Sequence, residues 1–197
     1  MTVDQARTGR TPEDSAELVT SFVNTLDVSE ATDVISTPQG LRDWLSEQGL
    51  TTTASRVTPH DVALAARLRE GLRSALAAHH DLLDPALPDL DALAADLPLR
   101  LTFRSAAPRL EPVHSGVRGA LAAVVAAVAR TASDDTWERM KICTADDCQW
   151  AFVDRSRNRS RTWCAMGVCG NRAKTRSYRA RRRDATGDTR GSNGDGA

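Results

Sequence analysis

Four cysteines constrain this chain more than any other feature. They stand at Cys143, Cys148, Cys164 and Cys169, with none elsewhere in 197 residues. The spacing is C-x4-C, fifteen residues, then C-x4-C. Two close pairs of soft ligands, each on a tight turn, suit one tetrahedral metal ion, and the segment between them is long enough to bring the turns together. Four sulfurs select zinc or an iron–sulfur cluster, and one Zn2+ is the expected occupant. Four protein ligands close the coordination sphere, so the ion reads as structural and not as an activator of water. The competing reading, a pair of disulfides, needs an oxidising compartment. A stretch this short builds little core of its own, so metal binding is expected to supply much of its folding free energy.

Nothing at the N-terminus points to that compartment. Residues 1–19 hold several acids and no apolar run, unlike a secretory signal. The most apolar stretch, Gly119 to Ala129, is too short to cross a bilayer. A cytoplasmic protein with reduced thiols and no membrane partner is the expectation.

The formal net charge is zero, yet the charge is unevenly placed. Residues 1–136 carry 12 Lys and Arg against 19 Asp and Glu, and residues 137–197 carry 14 against 7. A neutral or acidic body with a basic end is the composition of a polyanion-binding appendage. From Arg155 to Arg183 there are eleven basic residues and no acid. Arg155, Arg157, Arg159 and Arg161 recur at period two, so in an extended segment their guanidinium groups project on one side, where they suit successive phosphates. After Cys169 a helix is expected. Arg172, Arg176, Arg179 and Arg183 then fall within about 60° of one another, with Lys174 on another side. These nine residues are the candidate nucleic-acid contacts. Asn171 and Arg172 directly follow a metal ligand, so bracing the finger is their first expected role and phosphate contact the second.

Upstream, the pattern is helical. Thr11-Pro12, Thr37-Pro38 and Thr58-Pro59 each read as an N-cap followed by a first-turn proline. They open helices carrying Leu18, Phe22 and Leu26; Leu41, Trp44 and Leu45; and Leu64, Leu68, Leu72 and Leu76. His79 and His80 close the third helix, and adjacent histidines do not share a helix face, which disfavours a metal role. A short helix is expected around Leu87 to Leu97. Leu99 to Arg104 alternates as a half-buried strand, with 109–113 as its hairpin partner. Ser115 is expected to cap a buried Ala- and Val-rich helix to about Thr131, and Asp134 a last short helix from Asp135 to Lys141. Trp150 to Val153 reads as a strand covering the metal site. Asn24, Asp27 and Trp44 are candidates for a small-molecule pocket, against the plainer reading that Asn24 and Asp27 finish a helix and bond the next loop.

These pieces compose a mainly α fold: a disordered tail at 1–10, a multihelical domain with a small β-hairpin at 11–136, a small four-cysteine zinc finger with a basic helix at 137–183, and a disordered tail at 184–197. No P-loop, dinucleotide fingerprint, nucleophile elbow or His-Glu-x-x-His motif is present, and the chain is not read as an enzyme.

The run Cys169-Gly170-Asn171-Arg172, with Trp163-Cys164 before it and Ser156-Arg157-Asn158-Arg159-Ser160 in the loop, resembles the CGNR zinc finger across Cys143 to Arg183. Phe22-Val23-Asn24-Thr25-Leu26-Asp27 resembles the signature of the ABATE domain that usually precedes it. The resemblance implies a bacterial stress-induced transcriptional regulator. The expected partner is nucleic acid, duplex DNA first, with a homodimer formed through the N-terminal domain. The alternatives are an RNA-binding or ribosome-associated zinc protein and a ligand-binding N-terminal domain.

Overall fold

The structure, a computed structural model, describes residues 11–80, 86–103 and 108–187. The tail expected at 1–10 and most of that expected at 184–197 lie outside these residues. Three helices open on one device. Thr11, Thr37 and Thr58 each accept a hydrogen bond from the backbone N–H three residues on, and a proline occupies the first turn. Proline loses nothing there, because the first-turn N–H has no partner within the helix. Asp14 and Asp61 return the bond to the threonine N–H, completing capping boxes. The helices are α1 (Pro12–Val23), α2 (Pro38–Glu47) and α3 (Pro59–Ala78).

α1 stops before Leu26, which the helical spacing had included. Leu26–Asp27 instead forms a short strand, β1, antiparallel to β2 (Thr32–Asp33). The Thr25 hydroxyl donates to the Phe22 carbonyl at 2.8 Å and closes the helix end. Then follow α4 (Pro88–Ala95), the hairpin β3 (Leu99–Thr102) and β4 (Arg109–Pro112), and α5 (Gly116–Thr131). Ser115 makes no side-chain cap bond, and the chain enters α5 through Gly116 at φ 67°.

α5 is the central helix. Leu121, Val124 and Ala127 are fully buried, and α1 packs along it. With its extension to Asp134 it is long and apolar enough to cross a membrane by length and composition. The fold instead surrounds it with α1, α2, α3 and β4.

The last short helix expected over Asp135–Lys141 does not form. Asp135 takes φ 62°, which interrupts the helix, and tight turns at Ala132–Asp134 and Trp137–Arg139 lead into β5 (Met140–Ile142). β5 pairs antiparallel with β6 (Ala151–Val153). Met140, Ile142 and Ala151 belong to the same hydrophobic core as Phe22, Leu68 and Leu121. The hairpin that opens the finger is thus built on the helical core. A second, smaller cluster gathers Cys143, Ala145, Phe152 and Cys169, with Trp163 against it. One π-helical turn (Met166–Gly170) then runs into α6 (Asn171–Gly187). α6 continues four residues into the stretch expected to be disordered from 184.

The architecture is mainly α, with a small hairpin, a four-cysteine finger and a terminal basic helix.

Candidate metal centre and nucleic-acid interface

Both cysteine pairs sit on turns of similar build. Cys148 N–H donates to the Ala145 carbonyl at 2.8 Å, and Cys169 N–H to the Ala165 carbonyl at 2.9 Å. Cys143 leaves β5 with its N–H on the Trp150 carbonyl at 2.8 Å, tying the first turn to the second strand. The four Sγ atoms lie within 4.8 Å of one another. Cys148 to Cys164 is 3.6 Å and Cys164 to Cys169 is 3.7 Å. A disulfide needs about 2.05 Å, whereas a tetrahedral zinc with Zn–S bonds of about 2.3 Å sets its sulfurs about 3.8 Å apart. All four cysteines are free thiols. The donor set fits one structural zinc, whose chemistry is to cross-link the two turns and to demand thiolates.

The surroundings treat the sulfurs unequally. Burial pushes the Cys148 thiol up to about 11 and raises Cys164 as well. Burial acts the same way at Cys169, but the Arg172 guanidinium, 3.3 Å from its Sγ, and the neighbouring sulfurs outweigh it and lower the value. Phe152 and Trp163 cover the cluster. A Cβ at Gly170 would press on Trp163 Cε3 at 3.3 Å and on the end of the exposed, flexible Met166 side chain, which can swing aside.

The arginine row does not run extended. Residues 156–159 form a turn, and Arg159 takes φ 50°. The cause is Asp154, fully buried, which accepts from Ser156 N–H at 2.9 Å, Arg161 N–H at 2.9 Å and Lys141 Nζ at 3.1 Å. Lys141 also reaches the Arg159 carbonyl at 2.5 Å. Burial alone would raise the Asp154 carboxyl, but the bonds from Ser156, Lys141 and Arg161 hold it down to about 2. The four guanidinium groups consequently part company. Arg159 pairs with Glu138 and Asp135. Arg161 folds back on the Trp163 and Cys164 carbonyls and over the Phe152 ring. Arg155 and Arg157 are exposed, Arg155 with Glu13 at 3.9 Å.

On α6 the ridge is split too. Arg172 and Arg176 both reach Asp147, at 3.2 and 3.1 Å. The hydrogen bond from Arg176, with the nearby charge of Arg172, lowers the Asp147 carboxyl. Asn171 Nδ2 donates to the Gly167 carbonyl at 3.0 Å, so Asn171 and Arg172 brace the finger. Lys174 and Arg179 are exposed. The side chain of Arg183 lies outside the described residues.

Asn24, Asp27 and Trp44 do not converge on a pocket. Trp44 is buried against Phe22, with ring centroids 5.3 Å apart. Asp27 accepts from Ser29 and Glu30 and closes its own turn. Asn24 ends α1, and its side-chain amide bonds the backbone of Ala151 in β6. The polar groups of Asn24 and Asp27 are already committed to the fold.

Two residues that the sequence pattern does not single out organise this junction. Arg69 and Arg73 of α3 are buried, although they carry charge. Arg69 grips Asp33 with both terminal nitrogens at 2.7 and 2.8 Å and reaches Thr25 Oγ1 at 3.2 Å. Arg73 donates to the Val23 carbonyl at 2.9 Å and the Gln149 carbonyl at 2.6 Å. One guanidinium thus joins the end of α1 to the residue after a metal ligand. His79 and His80 add donors to the Met140 and Ile142 carbonyls at 2.7 and 2.5 Å, which is their role here. The only signal in sequence was an arginine beside a leucine stripe at i, i+4.

Fold and site together define a class: a helical domain sharing its core with a four-cysteine zinc finger that ends in a basic helix. Residues 139–182 match the CGNR zinc finger. Residues 16–136 match the ABATE family, described as "Putative stress-induced transcription regulator", and the chain belongs to that family. A comparison with curated proteins finds no match.

Proposed function

We propose that this chain is a cytoplasmic DNA-binding transcriptional regulator, with the zinc-set finger and α6 as the reader and the helical domain as sensor or oligomerisation platform. One observation carries the reading. Exposed Lys174 and Arg179 stand on a helix that leaves the cysteine cluster directly, and exposed Arg155 and Arg157 stand on the loop of the same finger. A scaffold fixed by a metal presents these charges in a defined arrangement, which a solvated tail does not. Arg159, Arg161, Arg172 and Arg176 hold the finger together and add to its positive field.

The test is the salt dependence of duplex binding by the zinc-loaded chain. Four phosphate contacts give a log–log slope of about −3.6, so raising salt from about 50 to about 200 mM weakens binding roughly a hundredfold. Arg179→Ala lowers the slope by about 0.9. Absence of duplex binding at low salt overturns the reading.

The exposure of Trp150 and Tyr178 favours a second reading, RNA, whose unstacked bases lie on aromatic rings. Competition between duplex DNA and structured RNA separates the two.

A further inference from the structure

The β3–β4 hairpin leaves one edge of β3 without a paired strand among the described residues. Its register sets Leu99 opposite Pro112, Arg100 opposite Glu111, Leu101 opposite Leu110 and Thr102 opposite Arg109. Pro112 has no N–H, and Val113 N–H donates to the Pro98 carbonyl at 3.1 Å. In an antiparallel ladder the hydrogen-bonded pairs alternate. The bonded pairs are therefore Arg100 with Glu111 and Thr102 with Arg109. The N–H and C=O groups of Leu99, Leu101 and Phe103 then point away from β4, along the outer edge of β3. No other strand pairs with that edge among the described residues.

The same three residues carry the apolar side chains. Residues two apart share a sheet face, so Leu99, Leu101 and Phe103 line one side. Leu99 packs on the core, whereas Leu101 is 53% and Phe103 74% exposed. An unpaired edge whose neighbouring side chains are apolar is a template for another strand.

We infer that this edge is the homodimer interface, with β3 of a second copy as its occupant. A two-fold axis at Leu101 places Leu101 against Leu101 of the second copy, and Leu99 against Phe103 of the second copy. Every outward N–H and C=O of the three residues meets a partner, giving about six backbone bonds. Charge selects the same register. Arg100 falls opposite Thr102 of the second copy and not opposite another arginine, and its own charge is partnered by Glu111 at 3.8 Å. The other edge of the hairpin, where Pro112 lacks a donor, offers no such ladder. A single short strand edge buries less than a standard interface, so the dimer is weak, in the micromolar range, and concentration-dependent. This inference stands apart from DNA binding and is tested without it.

The experiment is sedimentation velocity on the zinc-loaded full chain between about 1 and about 200 µM, a range that brackets micromolar association. Wild type shifts from monomer toward dimer across this range. Leu101→Lys sets like charges opposite each other on the axis and raises the dissociation constant at least roughly tenfold; far-ultraviolet circular dichroism and zinc content check its fold. A second pair of variants tests the register. Leu101→Cys lies about 5.5 Å, Cα to Cα, from its copy, within disulfide range, and oxidises to a covalent dimer. Arg100→Cys, on the other face, does not. A chain monomeric throughout the range, a Leu101→Lys variant that dimerises like wild type, or equal cross-linking of both cysteine variants overturns the inference.

Discussion

The side-chain amide of Asn24 pairs with the backbone of Ala151 in both directions, donating to its carbonyl at 3.0 Å and accepting from its N–H at 2.7 Å. The amide takes the place of a third strand residue beside β6. Ala151 is buried and stands three residues past Cys148, so the bond fixes the segment leaving the first cysteine turn. Arg73 fixes Gln149 within the same segment. The signature residues at the end of α1 thereby hold the metal site's approach instead of lining a pocket.

Asn24→Ala leaves the Ala151 N–H and C=O without partners in a buried setting. Each such group costs about 1–3 kcal/mol, so the variant loses about 2–6 kcal/mol against urea. Zinc also transfers faster to a chromophoric chelator, because the first turn is released. Leu45→Ala, a core truncation in α2, destabilises by about 2–5 kcal/mol and leaves transfer unchanged. Equal transfer rates for the two variants contradict the role given to Asn24.

Zinc removal divides the chain unevenly. Because β5 and β6 belong to the main core, chelation releases Cys143 to Cys169 and α6 from each other while α1 to α5 stay folded. Hydrogen exchange reads this directly: protection is lost over 154–170 and kept in α5. Trypsin cuts the loop at Arg155 and Arg157 far faster in the metal-free protein. The metal's contribution is thus local, narrower than a finger folding on zinc alone implies.

What the sequence disclosed and withheld follows from distance along the chain. The three Thr-Pro starts, the Leu68 and Leu72 stripe, the Leu99–Pro112 hairpin and the cysteine turns all depend on neighbours a few residues apart, and all are present. Asn24 finds its partner 127 residues away and Arg73 finds one 76 away, so no local pattern announces either. The arginine row failed for another reason. Period-two spacing promised a strand, but Asp154, Ser156 and Asn158 are turn formers, and the buried Asp154 carboxylate gathers the loop around itself.

The Lys141–Asp154 pair sets an acid limit for the finger. Both side chains are buried, 3.1 Å apart. Asp154→Asn leaves Lys141 charged and unpaired and costs about 3–5 kcal/mol. The carboxyl lies at about 2, below its ordinary 3.8. A lowered carboxyl gives stability that is complete above the unfolded value and lost as pH falls through the folded one. Asp33, lowered by the hydrogen bond from Arg69, acts in the same direction. These two carboxylates therefore add no pH dependence to the urea midpoint between about pH 7 and about pH 5 and lower it between about 4 and 2. In Asp154→Asn the fall in that window is shallower.

On the proposed DNA-binding reading, Asp147 sets how many arginines are available to phosphate. Its carboxylate binds Arg172 at 3.2 Å and Arg176 at 3.1 Å, and Arg172 also contacts Cys169 Sγ. The pairs are half-exposed, where solvent screens an ion pair, so Asp147→Asn barely alters stability. Its effect falls on binding. Removing one negative charge beside two arginines frees them for the duplex, and the log–log salt slope steepens by about 0.9 for each phosphate gained. If both guanidinium groups engage, the slope grows by about 1.8 and low-salt affinity rises. If Asp147 instead serves to hold α6 at the angle that reaches DNA, affinity falls with no gain in slope. Fluorescence anisotropy of a labelled duplex at several salt concentrations, run on wild type, Asp147→Asn and Arg176→Ala, separates the outcomes. Arg176→Ala lowers the slope only where Arg176 meets phosphate. Release of Arg172 and Arg176 to phosphate is the expected result, because the Asp147 carboxylate occupies both guanidinium groups in wild type and the neutral amide of Asp147→Asn does not.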